Sequence, residues 1–228
     1  MANTLGHAAS ELNAVALALP GQPTDKRVYL ACKRVFDVAV AASLLLVLMP
    51  LLLIIALLVW VDSPGPILFK QQRVGRDGQL FVMWKFRTMI PDRRKRSGTP
   101  PDGIPERRRR HKTRHDPRIT RVGRVLRRTC ADELPQLWHV VTGEMSIVGP
   151  RPELPAIVAA YEPWQHARHA MRPGVTGWWQ VTREDLGDKL MHEATELDLY
   201  YVTHASFRLD ALILWRTLGI VTRGVGAF

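Results

Sequence analysis

The chain of 228 residues is long enough to bury one good hydrophobic core, which predicts a single soluble domain with attachments. Its two cysteines, Cys32 and Cys130, are too few for a disulfide scaffold, and neither has His or Cys neighbours at zinc-ligand spacing. The net charge of +11 arises between residues 91 and 130, where fifteen Lys and Arg face four Asp and Glu, and this indicates a polyanionic partner.

Residues 1–28 are predicted to form a poorly ordered N-terminal tail. They lack the basic first segment of a secretory signal, and the long apolar run starts only at Val38. Apolar residues at positions 12, 15, 17 and 19 leave a short helix as the alternative. Residues 1–26 have no assigned role.

A membrane segment is predicted over residues 29–62. Its central 24 residues, 38–61, carry no charge. As a straight helix they would measure about 36 Å, enough to cross a hydrocarbon core of about 30 Å. Because the run is apolar on every face, a membrane is favoured over burial in a core of this size.

The flanks of the membrane segment leave two topologies open. Lys and Arg precede it at positions 26, 27, 33 and 34 and follow it at 70, 73 and 76. Positive residues favour the cytoplasmic side, so a simple spanning helix would violate that rule at one end. Pro50 predicts a kink near the middle. A re-entrant helix–break–helix is favoured over a kinked spanning helix, which also tolerates proline.

Residues 63–228 are predicted to be a cytoplasmic domain of α+β class, mainly helical. Two strand-like runs in 67–89 flank Asp77-Gly78, which predicts a β-hairpin. Lys85 and Arg87 alternate with apolar residues and therefore share one face of its second strand. Residues 91–113 are predicted to be a basic loop, either solvated or in contact with anionic headgroups.

Helical patterns follow the loop. Residues 119–128 predict a basic amphipathic helix that suits the membrane interface and the edge of a core equally well. Asp132 and Pro135 predict a helix that is capped by Asp132 and stops at Gly143. Further helices are predicted over 155–171, 197–202 and 210–222, the last apolar enough to touch lipid.

Three side chains stand out for chemistry. The adjacent carboxylates Asp132 and Glu133 follow several arginines, which favour the ionised form. Such a pair can supply a nucleophile and a metal ligand for phosphoryl transfer, although acids also occur in first helical turns as caps. Arg151, between two prolines, is restricted by them and suits phosphate binding; the alternative is a turn with a solvated arginine.

Several longer motifs occur in order from residue 33 to the C-terminus. They are KRVFDVAVA, GPILFKQQRVGRDGQLFVMWKFRTM, DPRITRVGRVLRRTCADELPQLWHVVTGEMSIVGPRP, RPGVTGWWQV, LDLYYV and SFRLDALILWRT. Together they resemble the bacterial sugar transferases, the monotopic phosphoglycosyl transferases that initiate polysaccharide and glycoconjugate synthesis.

The resemblance implies a catalytic dyad at Asp132 and Glu133. The aspartate would attack the β-phosphate of a UDP-sugar and release UMP, and polyprenyl (undecaprenyl) phosphate would then attack the phosphosugar–aspartyl intermediate. Mg²⁺ would assist through both carboxylates. Arg151 matches an arginine that helps to hold the nucleotide, and Arg127 matches one near the dyad.

Further substrate contacts are predicted from position along the chain. Lys85 and Arg87 form the cationic face of the hairpin. Gln180 and Arg183 follow a glycine-rich turn, whose alternative role is to pack neighbouring tryptophans. At the break of the membrane segment the family often has Ser-Pro, whereas Met49 precedes Pro50 here and lacks a hydroxyl that could support the bend.

The resemblance, together with the membrane segment, implies a bacterial inner-membrane enzyme with its catalytic domain on the cytoplasmic face, starting exopolysaccharide, O-antigen or glycoconjugate assembly. Its expected partners are the UDP-sugar, polyprenyl phosphate, anionic membrane lipid and downstream glycosyltransferases. The alternative is a membrane-anchored basic protein that binds nucleic acid or anionic lipid. That reading leaves Asp132-Glu133 and Arg151 without a role, and nucleic acid is not expected because no helix-turn-helix or zinc pattern is evident.

Overall fold

A computed structural model describes residues 24–90, 118–182 and 195–223 of the chain. The α-helices are α1 (Thr24–Asp62), α2 (Arg121–Thr129), α3 (Gln136–Thr142), α4 (Pro155–Val158), α5 (Trp178–Thr182), α6 (Thr195–His204) and α7 (Phe207–Arg223). The strands are β1 (Leu68–Val74), β2 (Leu80–Phe86), β3 (Ser146–Val148) and β4 (Gly174–Thr176). The predicted mainly helical α+β class is confirmed. Residues 1–23 of the predicted N-terminal tail and the basic loop over 91–113 lie outside the described residues. The tail prediction is wrong for residues 24–28, which belong to α1.

Helix α1 contains the apolar run and continues through Pro50 without interruption over 39 residues. The prediction of two helices separated by a break is therefore wrong. A proline removes only one backbone donor, and the surrounding turns keep their own hydrogen bonds, so the chain stays helical. Within the described residues, α1 is the helix long and apolar enough to cross a membrane.

Both ends of α1 are attached to the same folded body. Before Pro50, Ala41 is fully buried in the main hydrophobic core. After Pro50, Ile55 and Val59 pack in a second cluster with Phe86 and Leu126. The middle of the helix points away, since Leu46 and Val47 are 76% and 73% exposed. An apolar stretch that is left bare between two anchored ends requires a non-aqueous environment.

Polar contacts fix each end of α1 to the body. Near its start, Asp37 accepts hydrogen bonds from the Ser146 hydroxyl (2.7 Å) and the Ile147 amide (3.2 Å). At its end, an Asp62 carboxylate oxygen accepts from the Val122 amide (3.0 Å), in the first turn of α2. Helix α2 is thereby capped from two sides, because the Thr120 hydroxyl also accepts from the third amide of its first turn.

The predicted hairpin is confirmed. Strands β1 and β2 pair antiparallel, with Leu68 opposite Phe86 and Val74 opposite Leu80. The turn requires positive φ at Asp77 (55°) and Gly78 (77°), and Asp-Gly is suited to such backbone angles. The hairpin presents Lys85 on β2 toward the loops that follow α2.

A small parallel sheet, which the sequence patterns did not predict, lies behind these loops. β3 pairs with β4, in the register Ser146 to Gly174 and Val148 to Thr176. A β-carbon on Gly174 would lie 2.1 Å from the backbone nitrogen of Gly149, so only glycine allows this approach. The sheet sets the position of the Pro-Arg-Pro turn, which leaves the end of β3.

The helix predicted over 155–171 is instead divided. It consists of α4 and a 3₁₀-helix over Pro163–Ala170, which starts with a capping box formed by Glu162 and Gln165. The proline at 163 cannot continue the hydrogen-bond ladder of α4, and it suits the first position of a new helix. The helices predicted over 119–128, 197–202 and 210–222 are confirmed as α2, α6 and α7.

Candidate active site

Asp132 and Glu133 lie in a tight turn between α2 and α3. Helix α2 ends at Thr129, its cap residue Cys130 has a left-handed φ of 57°, and a 3₁₀ turn over Ala131–Glu133 follows. Helix α3 then starts after Pro135, without a side-chain cap. The prediction that Asp132 caps this helix is therefore wrong. The proline takes the cap position, so the carboxylate of Asp132 is left for other contacts.

Glu133 is the ion-pair centre of the site. One of its carboxylate oxygens accepts from Lys85 Nζ on β2 and from Arg151 Nη2 (3.1 Å) on the turn after β3. The residue is only 8% exposed. Burial acts to raise the pKa of Glu133, but the charges of Lys85 and Arg151 outweigh it and lower the pKa to about 2. Glu133 is thus a permanent anion that holds two cations together.

The pKa of Asp132 is shifted in the opposite direction to that of Glu133. It is 7% exposed, and its Oδ1 accepts no hydrogen bond from any residue in the described part of the chain. Burial and the neighbouring Glu133 raise the pKa of Asp132 to about 6, against the opposing charges of Lys85 and Arg127. A buried carboxylate without a partner for one oxygen costs stability, and such sites are frequently functional.

Arg127 approaches the dyad from the last turn of α2. Its Nε donates to the Thr88 hydroxyl (2.9 Å), which ties α2 to the end of the hairpin. The same side chain adds positive charge near Asp132. The structure therefore gathers Lys85, Arg127 and Arg151 around the two carboxylates, from three separate segments of the chain.

A buried network that the sequence analysis missed holds the Arg151 turn. Arg168 is 1% exposed, donates to the backbone oxygen of Arg151 (2.7 Å) and forms an ion pair with Asp198 on α6. It also donates to the Tyr161 hydroxyl. Arg168 and Asp198 are thirty residues apart and show no periodic pattern, so nothing in the sequence links them.

His139 on α3 fixes the neighbouring strand. It is 2% exposed, accepts from the Trp84 amide through Nε2 (3.1 Å) and contacts Glu144 through Nδ1 (2.6 Å). An Nε2 that accepts must be unprotonated, so Nδ1 carries the proton. Trp84 directly precedes Lys85, and His139 therefore sets the strand from which Lys85 reaches Glu133.

Other predicted site residues lie elsewhere. The Arg87 guanidinium donates to the backbone oxygens of Ser63 (2.5 Å) and Pro64 (3.1 Å), and so it fastens the end of α1. Gln180 Nε2 donates to the Val175 oxygen (2.9 Å) within the glycine-rich turn, while its Oε1 is buried without a partner among the described residues. Arg183 lies outside the described residues. No described contact joins Arg87 or Gln180 to the dyad.

The donor set suits a sparsely coordinated hard cation. Asp132 offers a buried oxygen without a hydrogen bond, and Glu133 has one oxygen engaged by two cations. The described residues contain no group of three or more His, Cys, Asp or Glu side chains that could hold a metal ion by themselves. Mg²⁺ is commonly held by one or two carboxylates together with substrate phosphates and water, so the residues present fit this ion.

Comparison with known proteins gives a consistent result. The family model described as "Bacterial sugar transferase" matches residues 28–224. The chain is 43% identical over 208 residues to the "Exopolysaccharide production protein PSS" of Rhizobium leguminosarum bv. phaseoli, covering 86% of this chain and 98% of that protein.

Two longer relatives carry names that state an activity. The chain is 40% identical over 200 residues to the "Undecaprenyl-phosphate glucose phosphotransferase" of Komagataeibacter xylinus, covering 82% of this chain and 35% of that protein. It is 39% identical over 193 residues to the "UDP-glucose:undecaprenyl-phosphate glucose-1-phosphate transferase" of Escherichia coli K12, covering 82% and 39%. The chain therefore spans well under half the length of these two relatives.

Proposed function

Because the chain belongs to the bacterial sugar transferase family, we propose that it transfers a sugar 1-phosphate from a UDP-sugar to polyprenyl (undecaprenyl) phosphate, with Asp132 as the nucleophile. The observation that carries this proposal is the pairing of a buried carboxylate that lacks a partner for Oδ1 with an adjacent carboxylate that holds two cations. Relatives named as undecaprenyl-phosphate sugar phosphotransferases support the substrate classes.

In the first half-reaction, an oxygen of ionised Asp132 attacks the β-phosphorus of the UDP-sugar. The new bond joins that oxygen to phosphorus, and the bond from phosphorus to the bridging oxygen breaks. UMP leaves with the electron pair, and the sugar phosphate remains as an acyl phosphate on Asp132. A carboxylate with a pKa of about 6 is mostly ionised at neutral pH and is more basic than an ordinary aspartate.

In the second half-reaction, a phosphate oxygen of the polyprenyl phosphate attacks the same phosphorus. The bond between phosphorus and Asp132 breaks, the carboxylate is restored, and a polyprenyl diphosphate sugar is released. UMP thus leaves before the polyprenyl phosphate reacts, which is a ping-pong scheme.

Lys85 and Arg151 are proposed to bind the diphosphate. Glu133 uses one donor of each, which leaves further N–H groups for phosphate oxygens. Because Glu133 holds both cations in advance, little reorganisation is required when the substrate arrives. Arg151 is further restrained by Arg168, so that its guanidinium is presented from a fixed backbone. Mg²⁺, held by Asp132 with Glu133, would supply additional neutralisation of the phosphate charge.

The membrane arrangement is proposed to be re-entrant, by a kink at Pro50 within a continuous helix. The support is that residues on both sides of Pro50 pack against one folded body, while the centre of the helix is apolar and exposed. Basic residues at both ends of the apolar run favour one cytoplasmic surface. The catalytic domain would then lie on the cytoplasmic face of the bacterial inner membrane, where both substrates can meet.

The test is UMP release from a panel of UDP-sugars, with undecaprenyl phosphate and Mg²⁺. Asp132→Asn should lower release by at least about 10³-fold, as expected for loss of a nucleophile. Asp77→Asn, at the exposed hairpin turn, removes the same charge and should leave the rate unchanged. Without acceptor, intact-protein mass spectrometry should show one sugar phosphate added to the wild type. Normal turnover by Asp132→Asn would refute the assignment.

A further inference from the structure

A second candidate site lies at the end of α3 that is opposite to Asp132 and Glu133. An open cleft is formed there between α1, the hairpin turn and the segment before β4. We call it the basic cleft, and its polar lining consists of Lys33, Arg34, Asp37, Arg76, Ser146 and Arg172. About ten residues of helical turn separate Glu133 from Gly143, so roughly 15 Å lies between the dyad and the cleft.

Two arginines of the basic cleft meet the end of α3. The Arg34 guanidinium donates to the backbone oxygens of Val140 (2.5 Å) and Val141 (3.0 Å). Arg172 donates to the Gly143 oxygen (2.8 Å) through Nε alone. These contacts add donors to carbonyls at the end of α3, of which that of Val140 also accepts from the Gly143 amide (3.3 Å). They leave the two terminal nitrogens of Arg172 without a hydrogen-bond partner in the described part of the chain.

Direct ion pairs distinguish Lys33 from the two arginines of the basic cleft. Lys33 pairs with Asp210 (2.9 Å) and Asp37 (3.8 Å). Among residues 24–90, 118–182 and 195–223, neither Arg34 nor Arg172 has a carboxylate within ion-pair distance.

A third arginine adds to the positive charge of the basic cleft. Arg76, on the hairpin turn, pairs with the exposed Asp77 (3.2 Å) and with no other carboxylate in the described part of the chain. Burial, and then the charges of Arg34 and Arg76, lower the pKa of Arg172, and the carboxylates of Asp37 and Asp77 offset this only in part. An anion between these side chains would relieve their mutual repulsion.

The basic cleft also lies next to the apolar run of α1. Lys33 and Arg34 are within about 8 Å, along the helix, of the first residue of the uncharged stretch 38–61. The polar layer on each side of a hydrocarbon core is about 5–8 Å deep. If residues 38–61 occupy the hydrocarbon, the cleft is at the depth of lipid phosphates.

We propose that the basic cleft binds a phosphate group, as carried by an anionic phospholipid headgroup at the membrane surface. Guanidinium groups suit phosphate because their planar donors match its oxygens. An open cleft at this depth can accept a headgroup whose acyl chains remain along α1. The site is separate from the dyad and requires no transfer chemistry, so it can be tested even if the proposed function fails.

The test uses the full chain in neutral maltoside micelles without added lipid. Thermal unfolding is followed by tryptophan fluorescence while dioleoyl phosphatidylglycerol, or dioleoyl phosphatidylcholine as the zwitterionic control, is added. A parallel series compares sodium phosphate with sodium chloride at equal ionic strength. The variants are Arg172→Gln and Arg76→Gln, the second of which leaves the α3 contacts intact. Arg124→Gln, an exposed position on α2, is the matched loss of charge.

Phosphatidylglycerol, but not phosphatidylcholine, should raise the Tm of the wild type and of Arg124→Gln in a saturable manner. The half-saturating mole fraction should increase by about tenfold in Arg172→Gln and in Arg76→Gln, since each loses a charge-assisted contact. Inorganic phosphate could also raise the Tm of the wild type and of Arg124→Gln, with a weaker response in Arg172→Gln and Arg76→Gln. That result would support the site and identify free phosphate as its ligand. Equal stabilisation by both lipids, or variants that respond like Arg124→Gln, would overturn the proposal.

Discussion

Two adjacent carboxylates are predicted to affect stability in opposite directions when each is neutralised. Asp132→Asn removes a buried negative charge with an oxygen that lacks a hydrogen bond. Glu133→Gln removes the anion that holds Lys85 and Arg151. The two changes are chemically alike and lie in the same turn, so each serves as the control for the other.

The magnitudes follow from the pKa shifts. Raising the pKa of Asp132 from 3.8 to about 6 corresponds to at most about 3 kcal/mol of destabilisation when the group is ionised. Lowering the pKa of Glu133 from 4.5 to about 2 corresponds to about 3 kcal/mol of stabilisation. For a chain of this size these values correspond to Tm changes of about 6–12 °C.

The pH dependence gives the sign of each effect. The folded-state pKa of Asp132 is raised, so the wild type loses stability as pH rises from about 4 to above 6. The gain in unfolding stability of Asp132→Asn over the wild type should therefore be near zero at pH 4 and complete by pH 7. The folded-state pKa of Glu133 is depressed, and its contribution is lost only as pH falls toward about 2. The loss of unfolding stability of Glu133→Gln relative to the wild type should accordingly remain nearly constant from pH 5 to 8.

The assay is thermal unfolding in neutral detergent, with EDTA present so that no divalent cation compensates Asp132. Adding Mg²⁺ should then raise the Tm of the wild type and leave Asp132→Asn unchanged. A Glu133→Gln variant that is as stable as the wild type would show that the ion pairs contribute nothing. A destabilised Asp132→Asn variant at pH 8 would show that the cations around Asp132 outweigh its burial.

Three further outcomes are expected. The kcat/KM for UMP release should fall below about pH 6, because protonated Asp132 cannot attack; a profile flat from pH 5 to 8 would contradict the raised pKa. Arg168→Gln should lower unfolding stability by about 3–5 kcal/mol, and adding Asp198→Asn should recover part of this loss because no buried carboxylate is then left unpaired; lack of recovery would argue against the ion pair. In a chain without native cysteines, single cysteines at Val28 and Pro64 should react with an impermeant maleimide from the same side of a vesicle, whereas reaction from opposite sides would exclude the re-entrant arrangement.

Much of this molecule could be predicted from local patterns. The apolar run of α1, the Asp-Gly hairpin and the stop at Gly143 each depend on residues within a few positions of one another. The division of 155–171 into two pieces was missed, although Pro163 was visible as a helix start. The uninterrupted course of α1 through Pro50 was also missed, because the local cost of a proline does not determine whether a helix ends or bends.

The sequence alone thus determined the long apolar helix, the hairpin, three of the later helices and the carboxylate pair, since propensity, periodicity and turn chemistry act over short distances. Only the tertiary structure decided that Glu133 is paired and Asp132 is not, because Lys85 and Arg151 come from elements 48 and 18 residues away from Glu133. The same holds for Arg168, which is buried against Asp198 and the backbone of Arg151. Burial and charge pairing are set by which segments meet in space, and no local pattern encodes that meeting.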